Sequence, residues 1–258
     1  GNWRQRRTAT LNKNRRGVRD GNRSTITNGG QAVSCRPMKD RANHGQLSRF
    51  LSKVLRHDAV RMGLRLRSDG FVRVEEILSH PSAKKYSQSS REVIFQIVDN
   101  DAKTRFALRE EDGELWIRCN QGHSIPDILS DDELLVPITD PALYPIIVHG
   151  TYSRCIQSIM ESGLSSMARQ HVHCIAWRPE LLHTRTRALA GIRSSCEILI
   201  HIDMRSAMLD GNQFYISANQ VILTSGPISP SHFIDIYEIG EDGAMKSMKS
   251  AMGLVHQP

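Results

Sequence analysis

The chain has 258 residues, of which 39% are apolar and 24% are charged, so it is large enough for two domains with ordinary cores. Its apolar runs stay well below the roughly 20 residues that cross a bilayer, and its first residues lack the apolar stretch of a secretory signal. We therefore expect an intracellular protein of the cytoplasm or nucleus, with no membrane partner. Five scattered cysteines, never spaced as CxxC, argue against a disulfide framework or a cysteine zinc site.

The net charge of +7 is unevenly distributed along the chain. Residues 1–46 hold 11 Lys and Arg against 2 Asp and Glu, residues 47–109 hold 13 against 7, and residues 110–258 hold 10 against 18. A basic segment followed by an acidic one favours an anionic partner for residues 47–109. Arginines that merely solvate helix faces fit the same counts equally well.

Residues 1–45 combine many Arg, Ser, Thr, Asn and Gly residues with almost no apolar periodicity. Such a segment buries too little surface to offset its ordering entropy, so we predict a disordered basic tail. An organelle transit peptide, a nuclear localisation patch and an RNA-adherent arm all remain open for it.

The pattern changes at residue 46, where apolar residues begin to recur on one helical face: Leu47, Phe50, Leu51, Val54 and Leu55. Next, "LRLRSDGFVRV" predicts two short strands around a turn, "VEEIL" a short helix and "SSREVIFQIVDND" a helix that begins at a serine. "RFALREEDGELWIRC" predicts a hairpin across Asp-Gly. Small hairpins among helices, with surplus positive charge, predict a winged-helix-like RNA-binding lobe over residues 46–120.

After a linker at residues 121–140, the chain becomes rich in predicted strands. "TYSRCIQSIMESG" predicts a helix that ends at Gly163, whereas "PIIVHG", "HVHCIAW", "EILIHIDM", "QFYISANQVILT" and "FIDIYEI" predict strands. We assign residues 141–240 to a second, β-rich lobe and residues 241–258 to a flexible C-terminal tail. The fold class is therefore α+β.

Two stretches of this second lobe carry candidate ligand-binding groups. His149, Gly150 and Thr151 stand where a strand gives way to a helix, a junction that exposes backbone N–H groups to a phosphate, although an ordinary strand end fits too. In "SMARQHVHC", Arg169, His171 and His173 alternate, so in a strand their side chains would share one face. Because an arginine beside the histidines would repel a cation, an anionic ligand is favoured over a metal.

The first lobe contributes further polar candidates. Arg56 and His57 follow one another where the apolar stripe of the first helix ends, and a basic residue there also answers the helix dipole. Arg105 stands at the entry to the predicted hairpin. "NQGHS", residues 120–124, places two amides, a glycine and a histidine at the boundary between the lobes, where clefts commonly form.

In this order, the blocks resemble the RNA 2′-phosphotransferase family (KptA/Tpt1-like), which removes the splice-junction 2′-phosphate from ligated tRNA by transferring it to NAD+. The resemblance spans residues 47 to about 240 and rests on "LSKVLRHD", "DGFVRVEEIL", "KTRFALR", "NQGHSI", "HGTY", "ESGLSSMARQHVHC", "EILIHID" and "FYISANQVILT". It implies that the N-terminal winged-helix lobe is joined to a C-terminal lobe of the ADP-ribosyltransferase fold, with the active site between them.

The resemblance also implies the residues of the site. Its catalytic residues would be Arg56, His57, Arg105 and Arg169. The NAD+-binding positions would be His149, Gly150, Thr151, His173 (with His171 as the alternative), Ser217, Asn219 and Val221. In protein-modifying relatives of the fold a glutamate commonly stands where this chain has Val221, so protein modification is disfavoured.

The activity implied is a two-step transfer. The RNA 2′-phosphate attacks C1″ of the nicotinamide ribose, and the ribose O2″ then attacks phosphorus, with His57 as the group that moves the proton. The implied partners are NAD+ as co-substrate and a tRNA or other RNA with an internal 2′-phosphate, with no metal, acting on a monomer. The alternatives are an ADP-ribosyltransferase that stops on a nucleic-acid phosphate after the first step, and a noncatalytic RNA-binding module.

Overall fold

The structure, a computed structural model, describes residues 38–86, 89–125, 127–178 and 190–254. It mixes helices with two antiparallel sheets, which confirms the α+β class. The predicted disordered tail lies outside the described residues up to residue 37, but residues 38–45 belong to the first helix. Within the described ranges, no helix is both long and apolar enough to span a bilayer.

The N-terminal part, residues 38–125, packs helices against a three-stranded sheet of order β1-β3-β2. Its core includes the predicted helical face at Leu47, Leu51 and Val54 together with Ile94 and Ile117. The elements are α1 Met38–Lys53, β1 Val72–Arg73, α2 Val74–Ser79, α3 Pro81–Lys84, α4 Arg91–Asp99, β2 Phe106–Glu111 and β3 Glu114–Cys119. Ser90 caps α4, as the sequence predicts, since its hydroxyl accepts a hydrogen bond from the Val93 N–H.

Two local predictions in this part have different outcomes. The hairpin is confirmed: β2 and β3 pair from Phe106–Cys119 to Glu111–Glu114, and the Asp-Gly turn has positive φ at both residues. The pair of strands around Ser-Asp-Gly is half wrong, because only β1 forms. Before it, the Arg67 N–H donates to the Phe71 carbonyl at 3.0 Å, which closes a turn in place of a strand.

A π-helical turn, Val54–Asp58, follows α1 directly and carries Arg56 and His57. Within this turn Val54 and Leu55 are buried in the core, Arg56 is partly buried and His57 is exposed. The Arg56 carbonyl accepts a hydrogen bond from the Ser124 N–H at 3.0 Å. Because π turns are rare and concentrate at functional sites, this local geometry draws attention to Arg56 and His57.

The C-terminal part, residues 127–254, is built on an eight-stranded sheet of order β11-β10-β7-β5-β6-β9-β8-β4. Short helices pack on one face of it through Ile156, Met204 and Ala207. The elements are α5 Asp131–Leu134, β4 Val136–Ile138, β5 Ile146–Thr151, α6 Ile156–Ser162, β6 Val172–Ala176, β7 Ile198–Asp203, α7 Met204–Leu209, β8 Phe214–Ile216, β9 Ile222–Thr224, β10 Phe233–Ile239 and β11 Met245–Ser247.

The predicted flexible C-terminal tail is partly ordered. β11 pairs with β10, and the Ser247 hydroxyl donates to the carboxylate of Asp235 at 2.8 Å. Beyond it, Met248, Met252 and Leu254 pack against the main core. Three spaced apolar residues leave too short a sequence pattern to predict this contact. Residues 255–258 lie outside the described ranges.

Candidate active site

The larger sheet splits at β6, which changes partner along its length. Ile175 and Ala176 pair with β5, whereas Val172, His173 and Cys174 pair with β9. Between these two pairings, the His149 Nδ1–H donates to the His173 carbonyl at 2.9 Å and bridges the gap. Burial lowers the pKa of His149, so its ring is neutral and its Nε2 is a hydrogen-bond acceptor.

Both histidines of the "HVH" segment face polar groups of residues 121–131. The His173 Nε2–H donates to Oε1 of Gln121 at 2.7 Å, and the His171 Nε2–H donates to Asp131 Oδ2 at 3.0 Å. Burial, followed by the charge of Arg169, lowers the pKa of His173 to about 3. These two histidines share a face, as the sequence predicts, but Arg169 lies in a turn before the strand.

Arg56 is the central positive group of the site. Its charge contributes to lowering the pKa of both His57 and Arg169, which indicates that it lies near both residues. It also approaches Arg105, since both guanidinium groups act on the Cys119 thiol and the Lys103 amine. The structure therefore brings all four predicted catalytic residues into one neighbourhood around Arg56.

Arg105 is held in place by Asp101, whose side chain is only 2% exposed. Arg105 donates through Nε at 3.0 Å and through Nη2 at 2.8 Å to the same Oδ1, and its backbone N–H bonds the other carboxylate oxygen. An arginine fixed by a buried carboxylate presents its remaining N–H groups in a defined direction. Sequence reasoning found Arg105 but missed Asp101, which "DAKTR" places four residues before it.

His57 is exposed, and its Nδ1 lies 2.8 Å from the Ser124 hydroxyl. Partial burial lowers the pKa of His57, and the charges of Arg56 and Arg169 lower it further, whereas Asp58 opposes them. His57 is therefore mainly neutral near pH 7 and can accept a proton.

Within the described residues, nine buried side-chain polar atoms have no hydrogen-bond partner, and three of them lie where the two parts of the chain meet: Nε of Arg56, Nε2 of His123 and Oε1 of Gln170. Burial, followed by the charges of Arg56 and His57, lowers the pKa of His123 to about 3. Because buried polar groups are nearly always hydrogen-bonded, the unpaired Nε of Arg56 is a local exception of the kind that functional sites contain.

At the His149-Gly150-Thr151 junction, side chains from residues 192 and 196 lie against the glycine. A Cβ atom at Gly150 would lie 2.8 Å from Ile192 Cγ2 and 3.2 Å from the sulfur of Cys196. The missing Cβ atom of Gly150 leaves room for these two side chains, whereas the sequence suggested that it leaves room for a phosphate. Thr151 is buried, and its carbonyl accepts the Glu197 N–H at 3.0 Å.

The remaining predicted NAD+ contacts form a tight turn between β8 and β9. The Ser217 hydroxyl bonds the backbone of Val221, and the Asn219 side-chain amide donates to the Lys103 carbonyl at 3.0 Å. Val221 itself is fully buried, and a Cβ on Gly191 would lie 3.2 Å from it. Asn219 therefore bridges to the N-terminal part, while Val221 is a core residue in this arrangement.

Arg193 is a positive group that sequence reasoning missed. Its charge lowers the pKa of both His149 and Arg169, so it lies within electrostatic reach of both residues. Among the described residues, no group of three or more His, Cys, Asp and Glu side chains is arranged to hold a metal ion.

Three guanidinium groups near an exposed, mainly neutral histidine would suit an anionic substrate, and comparison with known proteins identifies the family of the chain. Residues 42–226 match the family model described as RNA 2′-phosphotransferase, Tpt1 / KptA family. Because this match covers more than half of the sequence, the chain belongs to the RNA 2′-phosphotransferase family. The resemblance inferred from the sequence motifs is thereby confirmed, as is the prediction of a transferase.

Curated relatives support the same assignment. The chain is 40% identical over 195 residues to tRNA 2′-phosphotransferase 1 of Danio rerio, covering 73% of this chain and 83% of that protein. It is 40% identical over 185 residues to tRNA 2′-phosphotransferase 1 of Homo sapiens, covering 70% and 69%. It is 39% identical over 191 residues to a putative tRNA 2′-phosphotransferase of Schizosaccharomyces pombe, covering 74% of this chain and 49% of that longer protein.

Proposed function

We propose that this chain removes the splice-junction 2′-phosphate from ligated tRNA in an NAD+-dependent transfer. The products are RNA with a free 2′-hydroxyl, ADP-ribose 1″,2″-cyclic phosphate and nicotinamide. The observation that carries the proposal is the guanidinium of Arg56, which lies beside the Cys119 thiol and among Arg105 and Arg169, and whose buried Nε has no hydrogen-bond partner. Family membership supports the reaction class.

The arginine cluster suits a phosphate monoester. Such a group carries close to two negative charges, and removing its water requires several charge-assisted hydrogen bonds of about 1.5–3 kcal/mol each. Burial, followed by the charges of Arg56 and Arg193, lowers the pKa of Arg169, so a bound dianion would stabilise the cluster. Planar two-pronged donors match phosphate oxygens better than lysine does.

The first step needs no general base, because the phosphate is already anionic. One of its oxygens bonds to C1″ of the nicotinamide ribose as the C1″–N bond breaks and nicotinamide leaves with the electron pair. The arginines hold the nucleophile in line, which is the contribution of orientation to the rate.

The second step needs a proton to move. The ribose O2″ bonds to phosphorus while its proton passes to His57, and the bond from phosphorus to the RNA 2′-oxygen breaks. His57 then returns the proton to that oxygen, which restores the residue. General acid–base catalysis of this kind contributes about 10²–10⁴-fold, and each arginine on the phosphoryl oxygens contributes about 10²–10³-fold.

We further infer that NAD+ lies along the split in the larger sheet, within an ADP-ribosyltransferase fold, and that the N-terminal part is a winged-helix RNA-binding lobe. The acceptor Nε2 of His149 suits a ribose hydroxyl, and Arg193 supplies charge for the pyrophosphate near Gly150 and Thr151. His173 orients His149 through its carbonyl. Because Val221 is buried, a direct contact with it requires residues 190–193 to move.

The test uses purified chain, NAD+ and an oligonucleotide with one internal 2′-phosphate. We expect phosphate release that requires NAD+, withstands EDTA and yields ADP-ribose 1″,2″-cyclic phosphate. Arg105→Ala should lower the rate at least about 10²-fold. Arg109→Ala is the matched control, because Arg109 is also 33% exposed and also paired with carboxylates, but its guanidinium is held by Asp69 and Glu111 instead of Asp101.

Each negative result has a distinct meaning. Phosphate loss without NAD+ would refute the proposal, and so would an equal loss of rate in both arginine variants. An ADP-ribosylated oligonucleotide that never yields the cyclic phosphate would assign the chain to the alternative, a transferase that stops after the first step. Binding of the oligonucleotide with no reaction would indicate a noncatalytic RNA-binding module.

A further inference from the structure

A short loop between the two parts of the chain contacts four residues in or beside the proposed site. In this connecting loop, residues 121–124, the Gln121 side chain bonds His173, and Gly122 lies against the Arg56 guanidinium. The carbonyl of His123 accepts the Gln170 N–H at 3.1 Å, next to Arg169, and Ser124 bonds His57. The loop therefore fixes groups from both parts relative to one another.

Ser124 has the most specific of these contacts, because it holds the π-helical turn at two points. Its N–H donates to the Arg56 carbonyl at 3.0 Å, and its hydroxyl lies 2.8 Å from His57 Nδ1. The backbone contact places Ser124 regardless of its side chain. The hydroxyl contact then acts on the His57 ring alone.

This second contact orients the His57 ring and fits either neutral tautomer, because the Ser124 hydroxyl can accept from Nδ1–H or donate to a bare Nδ1. The ring is mainly neutral near pH 7, so the proton lies on either Nδ1 or Nε2. When Nδ1–H donates to the Ser124 oxygen, Nε2 keeps its lone pair and faces away from the loop. That tautomer is the one that accepts a proton from a ribose hydroxyl.

We propose that Ser124 is a positioning residue that holds His57 in the Nδ1–H tautomer and orientation needed for the second step. The inference rests on the proposed function, in which His57 takes the O2″ proton and returns it to the RNA 2′-oxygen. Ser124 does not touch the reacting atoms, and the first step, which moves no proton, is independent of it.

The test measures the two steps separately in single-turnover reactions of the full chain with NAD+ and the 2′-phosphorylated oligonucleotide. Ser124→Ala should slow decay of the ADP-ribosylated RNA about 10- to 100-fold, within the range for general acid–base catalysis, and leave its formation within about twofold of the unmodified chain. Ser124→Thr keeps the hydroxyl and should restore most of the second-step rate.

A double-mutant cycle with His57→Ala distinguishes positioning from structural support. If Ser124 acts only through His57, the double variant decays the intermediate at the same rate as His57→Ala alone. Ser90→Ala is the control for general destabilisation, because it removes the cap of α4 at a cost of about 1 kcal/mol and should change neither step.

Several outcomes would overturn the inference. These are a second-step rate in Ser124→Ala within twofold of the unmodified chain, equal slowing of both steps, or further slowing in the His57→Ala background. If the unmodified chain completes both steps and the Arg105→Ala variant does not, these outcomes refute only the role of Ser124 and leave the proposed function standing. If the unmodified chain releases no phosphate with NAD+, the proposed function itself fails.

Discussion

Gly122 offers a direct test of how Arg56 is held. Its φ of +88° is left-handed, and a Cβ there would lie 3.3 Å from Arg56 Nε and 3.4 Å from Cζ. Gly122→Ala therefore has two effects: a backbone penalty of about 1–2 kcal/mol, and displacement of the guanidinium by a few tenths of an ångström or more. Since misplacing a catalytic group by about 1 Å costs roughly 10²-fold, we expect kcat/KM to fall about 10- to 100-fold.

Gly113→Ala isolates the second effect. Gly113 has a φ of +77°, close to that of Gly122, but a Cβ there would meet nothing within 4 Å. Urea unfolding should show a similar loss of stability in both variants, whereas NAD+-dependent release of the 2′-phosphate should fall only in Gly122→Ala. The reasoning fails if the two variants have kcat/KM values within twofold of each other.

Two further predictions concern buried charge. Asp101→Asn removes the carboxylate that fixes Arg105 and should lower kcat/KM about tenfold in the same assay. Glu111→Gln removes a carboxylate at the other end of β2, which pairs with Arg109, and should leave kcat/KM unchanged. Equal effects of the two substitutions would contradict the role of Asp101 in positioning Arg105. His123 and His173 have pKa values of about 3 in the folded chain and near 6.5 when unfolded, so the unfolded chain binds more protons and stability falls as pH drops through 6.5. At pH 5 each costs about 2 kcal/mol relative to pH 7, and His123→Gln should shrink the stability difference between pH 7 and pH 5 by that amount in urea unfolding; an unchanged difference would show that His123 titrates normally.

The sequence was sufficient for features with a local physical cause. The face at Leu47 and Leu51, the Asp-Gly hairpin and the Ser90 cap each follow from spacing or from one residue's chemistry, and the structure contains all three. The strand predicted before Ser68 is absent, because alternation of Leu and Arg does not supply a partner for pairing.

Long-range geometry was beyond the sequence. The contact between Ser124 and His57 spans 67 residues, and the bridge from Asn219 to Lys103 spans 116. The sequence placed "NQGHS" at the boundary between the two lobes. Only the folded structure shows that Gln121 contacts His173 and that Ser124 contacts His57. Likewise, the letters "HGT" suggest an open phosphate site, while Ile192, over 40 positions later, occupies the space beside Gly150.

The π-helical turn at Val54–Asp58 makes the spacing within this stretch intolerant of change. Each residue of a helix rotates the chain by about 100°. One residue added or removed between Leu51 and Arg56 would therefore turn Arg56 and His57 to another side of the helix, while Leu47 and Leu51 stayed packed in the core. Length changes upstream of Leu47 leave that angular phase untouched. The directions of the Arg56 and His57 side chains therefore depend on the number of residues between Leu51 and Arg56.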